Sequence, residues 1–333
     1  MFNYVLKRVL ILFPILIIVS FITFFIIQLP PGDFATTFAA EIAAEGSQIT
    51  AAQMAKIRED LGLDQPIATR YWKWITGIVL RGDFGYSFTW KASIRDLIGE
   101  RLLLTFVMTG STLLFTYLVA IPIGIYSATH QYKPSDYIAS FLGFIGLATP
   151  NFLLALVIMF SAYRWFGLSV GGLFSPEYVD AAMSFDKLID FLKHLLVPII
   201  VIGTASIAGL MRVVRANLLD ELDKQYVVTA RSKGVDERKL LVKYPIRAAM
   251  NPVVSTIGYI LPELFSGSAV TAIVLNLPTV GTLLMGSLLS QDMYLAGSLL
   301  LILAFLTIIG TLISDILLAW LDPRIRLEGK ASR

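Results

Sequence analysis

The residues best suited to chemistry lie in one polar stretch, Arg212 to Pro252, where nine basic and five acidic side chains fall between two hydrophobic spans. At its centre is Tyr226-Val-Val-Thr-Ala-Arg-Ser-Lys-Gly234. A polar segment this long between membrane helices has to face water. Its pattern points to docking of a soluble partner. Ala230-x3-Gly234 puts a small residue one turn before a glycine that can end a short helix and turn the chain sharply. Asp236 can then cap a second helix, with Glu237 favourable at its positive end. Leu240, Leu241 and Tyr244 face one way, while Arg238, Lys239, Lys243 and Arg247 supply the polar remainder. Pro252 is expected to open the next membrane span. A short helix held between two spans can pass a push into the membrane. On spacing alone, a solvated positive-inside loop fits as well.

Bond-making chemistry is poorly represented. The sequence holds no Gly-x-x-x-x-Gly-Lys-Ser/Thr, so the chain has no P-loop of its own. No serine elbow, His-Glu-x-x-His or paired-carboxylate motif stands out. Cysteine is absent, and His130 and His194 are too few for a histidine-based metal site. Glu263, beside Pro262 and about halfway along a span, either faces a translocation pore or is a carboxylate satisfied in helix packing. Asp315 lies near a span's end. Two scattered acids make a poor proton relay, so the energy for transport is expected from another subunit.

The elements that position these residues are membrane helices. The 333 residues are 56% hydrophobic and only 15% charged, where soluble domains carry about 25% charge. Mean hydropathy is +0.74. Basic residues sit beside hydrophobic spans and form no soluble basic face, which argues against nucleic acid. Val9–Leu29 is charge-free and long enough for a ~30 Å hydrocarbon core. It exceeds the h-region of a cleaved signal peptide, and Pro30-Pro31 stops it. Residues 33–101 mix nine acidic and eight basic residues. There, Ala51–Leu61 reads as a short helix capped by Thr50 and closed by Gly62, and Arg81–Ser87 as a turn-rich loop. Further spans are expected at Leu102–Ile125, Tyr137–Tyr163 (with Pro150 kinking it), Leu195–Met211, Pro252–Leu275 and Leu295–Trp320. Asp180–Lys193 looks like a separate interfacial helix. Asn276–Asp292 is too broken by Pro278, Gly281 and Gly286 for a full span, and fits a re-entrant segment.

The fold class expected is therefore an all-α polytopic membrane protein with six transmembrane helices. Its parts are a cytoplasmic N-terminus and first helix (1–29), an external subdomain (30–101), a five-helix core (102–320) containing the cytoplasmic loop 212–252, and a tail (321–333). Six spans put both termini on one side. With that side inside, inner segments hold sixteen basic residues against eleven outside, which places the charged stretch in the cytoplasm.

At these residues the sequence resembles the membrane subunit of binding-protein-dependent ABC importers, in the dipeptide/oligopeptide/nickel permease branch. The carrying pattern is Tyr226-Val-x-Thr-Ala-Arg-x-Lys-Gly234, with Arg247 and Pro252 beyond it. Leu6-x-Arg8, Phe13-Pro14 and Leu29-Pro-Pro-Gly-Asp33 are typical of the first permease of such systems. Leu61-Gly-Leu-Asp-x-Pro66, Tyr71-x-x-Trp74 and Gly82-Asp-Phe-Gly-x-Ser87 match its external region, and Leu321-Asp-Pro-Arg324 its C-terminus. The resemblance implies a type I permease fold in a bacterial or archaeal plasma membrane. It also implies a homologous second permease sharing the pore, an extracytoplasmic solute-binding protein and two cytoplasmic ATPases that carry ATP and Mg. This chain itself would hold no nucleotide or other cofactor. ATPase docking would fall on Tyr226, Val227, Val228, Thr229, Ala230, Arg231, Lys233, Gly234 and Arg238.

The sequence departs from the pattern in three places. The wider family's Glu-Ala-Ala is Val228-Thr229-Ala230 here, so a glutamate salt bridge to the ATPase cannot form from Val228, and docking is expected to fall instead on the basic residues Arg231, Lys233 and Arg238. His-Ala-Leu-Arg-Asn-Ala is Tyr244-Pro-Ile-Arg-Ala-Ala249. Pro-Gly-x-Gly is Pro278-Thr-Val-Gly281, with Ala272 at a usual glutamate position. The expected solute is a peptide or something of similar size. An oligosaccharide permease of the same architecture, and an autonomous secondary transporter or channel, are the competing readings.

Overall fold

A computed structural model describes residues 2–29, 50–60, 62–87, 89–179, 181–257 and 269–321, with 35, 36, 39 and 260 besides. The described chain is mostly helical. In order, the elements are α1 (Phe2–Ile27), α2 (Ala51–Asp60), α3 (Ile67–Thr76, prolonged by a π-turn at Gly77–Arg81), a two-residue hairpin of β1 (Tyr86–Ser87) and β2 (Ala92–Ser93), α4 (Ile94–Thr129), α5 (Pro134–Ala148), α6 (Asn151–Phe166), α7 (Phe185–Leu222), α8 (Gln225–Ser232), α9 (Glu237–Lys243), α10 (Pro245–Ser255), α11 (Ala269–Val274), α12 (Val280–Leu289) and α13 (Met293–Leu321). In the hairpin Tyr86 pairs with Ser93 in antiparallel register.

Among the described residues, four helical segments are long and apolar enough to cross a membrane: Arg8–Ile27, Ile94–Thr129, Phe185–Leu222 and Met293–Ala319. The expected single span Tyr137–Tyr163 is instead a pair, α5 and α6, bent by 101°. Proline forces the preceding residue out of the helical region. Thr149 is extended (φ −87°, ψ 119°) and Pro150 follows it with ψ 133°, so the break is far sharper than a kink. A second difference lies in α7. Asp180–Lys193 was expected to be a separate interfacial helix, yet the helix runs unbroken from Phe185 through Pro198 to Leu222. Its polar first turns are satisfied by the loop before it. Asp190 accepts from the Ser175 amide and hydroxyl, both at 2.7 Å, and Lys187 donates to the Ala181 carbonyl at 2.6 Å. Interior proline is tolerated in such helices when neighbours absorb the lost backbone bond. The broken segment 276–292 contains the short apolar helix α12, whose N-terminus Thr279 and Thr282 cap with a capping box. The middle of the expected span Pro252–Leu275, residues 258, 259 and 261–268 with Glu263 among them, lies outside the described residues.

The chain divides into two compact units. One comprises Met1–Arg8, Phe106–Pro278 and Thr307–Arg333. Its core gathers Ala120, Leu210, Met211, Val214 and Val253. Small residues set its helix spacing: a Cβ on Gly124 would lie 2.7 Å from the Val214 Cβ and 2.9 Å from the Met211 carbonyl. Such close approach is how membrane helices gain packing where lipid offers no hydrophobic drive. The other unit comprises Val9–Thr105 and Thr279–Leu306, with Ile94, Ile98, Val280, Leu283, Leu295 and Leu299 at its centre. Here the expected Thr50 cap is present, as Thr50 and Gln53 exchange side-chain-to-backbone bonds. Ser87 donates to Asp292 at 2.5 Å, and Asp292 also caps α13 through the Leu295 amide.

Candidate functional site

The charged stretch begins inside α7 and resolves into a helical hairpin. Asp223 and Lys224 turn the chain, and α8 covers Gln225–Ser232, so Lys233 is the capping residue and not part of the helix as its pattern implied. Gly234 adopts φ +75°, a conformation that costs L-residues and favours glycine. Its amide donates to the Arg231 carbonyl at 3.0 Å. Asp236 caps α9 as expected, accepting from the Arg238 and Lys239 amides at 3.1 and 3.2 Å. Pro245 starts α10, and Pro252 falls inside that helix instead of opening a span.

The hairpin has its own small core of Val227, Ala230 and Leu240, flanked by Val235 and Tyr244. Val227 and Leu240 are fully buried. This sorts the nine predicted docking residues in two. Val227 and Ala230 are turned inward and hold the hairpin together. Tyr226, Val228, Thr229, Arg231, Lys233, Gly234 and Arg238 are exposed. Val228 thus presents an apolar side chain to solvent, 44% exposed.

The charges of the hairpin are partly committed within the chain. Arg231 reaches across the turn to Glu237 at 2.7 Å. That contact holds the Glu237 carboxyl below the usual carboxylate range and pushes the Arg231 guanidinium higher. The Tyr226 hydroxyl donates to the Glu221 carboxylate. Partial burial, and then that carboxylate, push the phenol up to about 12.

One cluster in the same unit escaped the sequence reading. Asp136, near the start of α5, is buried at 3% exposure. Arg215 of α7 grips it with two bonds, Nη2 to Oδ2 at 2.9 Å and Nε to Oδ1 at 3.1 Å. The Ser127 hydroxyl donates to Oδ1, and the Tyr132 amide to Oδ2 at 3.1 Å. A forked guanidinium and a carboxylate fit each other in this geometry. The cluster ties the α4–α5 turn to α7 about two helical turns before that helix ends at Leu222. Ala128, Leu218 and Ala249 pack beside it, which connects α10 to the same point. The only sequence signal was an acid directly after Lys133-Pro134-Ser135.

Among the described residues no group of three His, Asp or Glu could hold a metal ion. The hairpin is a self-packed pair of short helices with an exposed outer face.

Residues 120–327 match the family described as binding-protein-dependent transport system inner membrane component, and residues 1–109 match its N-terminal companion. The chain is 34% identical over 324 residues to the oligopeptide transport system permease protein AppB of Bacillus subtilis, covering 97% of this chain and 98% of that one. It is 33% identical over 328 residues to the glutathione transport system permease protein GsiC of Salmonella paratyphi A, covering 98% of this chain and 100% of the relative. A putative peptide permease of Brucella ovis is 31% identical over 331 residues, again covering 98% and 100%. With four helices long enough to cross a bilayer and its polar hairpin following one of them, α7, the chain belongs to the family of inner membrane permease components of binding-protein-dependent ABC importers.

Proposed function

We propose that this chain forms half of the pore of an ATP-driven importer for peptides, six-spanning with both termini cytoplasmic, and that the α8–α9 hairpin is where a cytoplasmic ATPase docks. A homologous second permease supplies the other half, and an extracytoplasmic binding protein delivers the solute. ATP and Mg belong to two ATPase subunits. The observation that carries this reading is the hairpin itself: a self-packed knob with an exposed outer face, directly continuous with α7. The peptide class comes from the relatives named for oligopeptide and glutathione transport.

In this reading ATPase closure pushes on α8, and α7 carries the displacement toward the bundle. The Asp136–Arg215 clamp makes α4, α5 and α7 move together at that end. Tyr226 and Val228 offer apolar contact where the wider family has a glutamate. Lys233 and Arg238 supply free positive charge, while Arg231 is already engaged by Glu237. Glu263 is retained as a pore-facing candidate.

The test is ATPase co-purification with Gly234→Pro and Ala230→Asp. The first forbids the φ +75° turn and the second puts a charge into the hairpin core. Both should lose the ATPase and ATP-driven uptake while membrane insertion persists. Normal ATPase binding and uptake by both variants would sink the docking assignment.

A further inference from the structure

A cavity of about 430 Å³ opens in the unit that contains α2 and α3. One face of α3 builds its floor. Arg70, Lys73 and Trp74 fall at i, i+3 and i+4 and so share a side of the helix. The π-turn that follows carries Arg81 into the same lining. Gly77 lets the next loop fold back on the helix, since a Cβ there would lie 3.1 Å from the Asp83 carbonyl. The Asp83 amide donates to the Gly77 carbonyl at 3.0 Å, and the Gly85 amide donates to the Asp83 carboxylate at 2.9 Å. Phe84, Tyr86 and, from α13, Tyr294 complete the wall.

Two residues lining this cavity each carry a buried donor with no acceptor. Arg70 is 8% exposed and Trp74 6% exposed, yet Arg70 Nε and Trp74 Nε1 make no hydrogen bond. Among the described residues no carboxylate pairs with Arg70. Asp83 serves the Gly85 amide, Glu59 is exposed at the rim, and Lys73 is directed to Gln65 at 2.7 Å. A buried guanidinium left without a counter-charge is costly, and its fork of donors matches a carboxylate. Three cations, Arg70, Lys73 and Arg81, face two acids, Glu59 and Asp83, across the lining. The surplus is a single positive charge, which suits a monoanion better than a phosphate. The two acids give an ammonium group somewhere to bind, and the aromatic wall gives apolar side chains somewhere to lie.

We infer that this cavity is a carboxylate-binding site, with Arg70 as the anchoring cation and Trp74 Nε1 as a further donor. Its volume and single surplus positive charge fit the free C-terminus of a short peptide. An acidic side chain of the delivering binding protein is the other source of the same chemistry. The assignment rests on the proposed function only for the side of the membrane it faces, which is the outer one.

The experiment uses the assembled permease–ATPase complex in lipid nanodiscs, without binding protein, titrated with dialanine and with dialanine amide while tryptophan fluorescence is followed. A Trp74→Phe complex assigns the signal to this cavity. The free acid should bind about tenfold or more tighter than the amide, because only the acid can form the forked pair with Arg70. Arg70→Gln should remove that preference and Arg70→Lys should retain part of it. A second arm measures association of solute-free binding protein with wild-type and Arg70→Gln complexes. If dipeptides show no preference while this association weakens in Arg70→Gln, the carboxylate comes from the binding protein. Equal binding of acid and amide, together with unchanged association in Arg70→Gln, overturns the site. Should Arg70→Gln fail to assemble, the acid–amide comparison on the unchanged protein still decides, since equal binding there with no effect of excess free acetate on binding-protein association overturns the site as well. ATP-driven uptake by the same complexes, reconstituted in proteoliposomes and supplied with binding protein, keeps the two readings apart. Lost uptake with preserved acid preference fails the importer function, and preserved uptake without acid preference fails this site.

Discussion

Two arginine–carboxylate pairs in the same unit make a controlled contrast. Arg215 and Asp136 are 79 residues apart in sequence, and the carboxylate side chain is 4% exposed. Arg231 and Glu237 are six apart, with both side chains about half exposed at 49% and 54%. Their chemistry is the same and their contacts are equally short. Burial separates them. In the first pair every acceptor lobe of Asp136 is used, by Arg215, Ser127 and the Tyr132 amide. Removing Arg215 there leaves the Asp136 charge stranded away from water. In the second pair water takes over when a partner leaves. The buried pair therefore fixes which helices move as one, and the exposed pair only trims a turn that Gly234 and Asp236 already make.

The largest effect is expected from breaking the buried pair. Asp136→Asn leaves the Arg215 guanidinium without its counter-charge, which should cost about 3 kcal/mol, at the low end for buried pairs because the arginine is partly open to solvent. The complex should show a lower thermal midpoint, and uptake should fall even with ATPase association intact. Asp136→Asn combined with Arg215→Met should recover part of the loss, giving a clear coupling energy in the double-mutant cycle. Additive losses, or two silent single variants, would erase the distinction drawn between the pairs.

An intermediate effect is expected from the apolar core that both hairpin helices share. Leu240 is fully buried between α8 and α9, and its truncation in Leu240→Ala should cost about 2 kcal/mol, near the lower limit for buried leucine because the hairpin is small and can collapse. The loss should be local. Hydrogen exchange should quicken across residues 225–244 and leave α4 and α7 protected, and ATPase association should weaken. If exchange quickens throughout the bundle instead, the hairpin is not a separable knob and the contrast between it and the clamp fails.

What the sequence made legible follows the range of the interactions involved. The Thr50 and Asp236 caps and the glycine turns at Gly62 and Gly234 are set by residues within three or four positions, and they were readable. Pro150 announced a break, but its 101° bend depends on what α5 and α6 pack against. The continuity of α7 was hidden because Phe185, Leu188, Ile189 and Leu192 read as the apolar face of a separate interfacial helix, and only the preceding loop takes up Asp190, through Ser175, and Lys187, through Ala181. The Asp136–Arg215 clamp joins residues too distant for any spacing rule. Arg231 and Glu237 lie close enough to have been paired by eye, but the turn between them breaks helical periodicity. Arg70, Lys73 and Trp74 sit at plain helical spacing. Only burial distinguishes Arg70 from any solvated surface cation.

The smallest effect belongs to the exposed pair and tests the contrast from the other end. Arg231 hydrogen-bonds Glu237 and keeps its carboxyl ionised to lower pH than usual. A carboxyl depressed in the folded state stabilises above its unfolded pKa and loses that contribution as pH falls through the folded value. The pair is therefore at full strength at neutral pH and fades only below the ordinary carboxylate value of 4.5. Arg231 stays charged throughout, so nothing is lost on the alkaline side until far higher pH. Glu237→Gln should change hydrogen exchange in the hairpin by less than about twofold at neutral pH, and added salt should shrink even that difference, as for other exposed pairs. Because Glu237→Gln also frees Arg231 for a partner, ATPase association should hold steady or strengthen. A substantial loss of association would mean that the Arg231–Glu237 pair shapes the docking face itself.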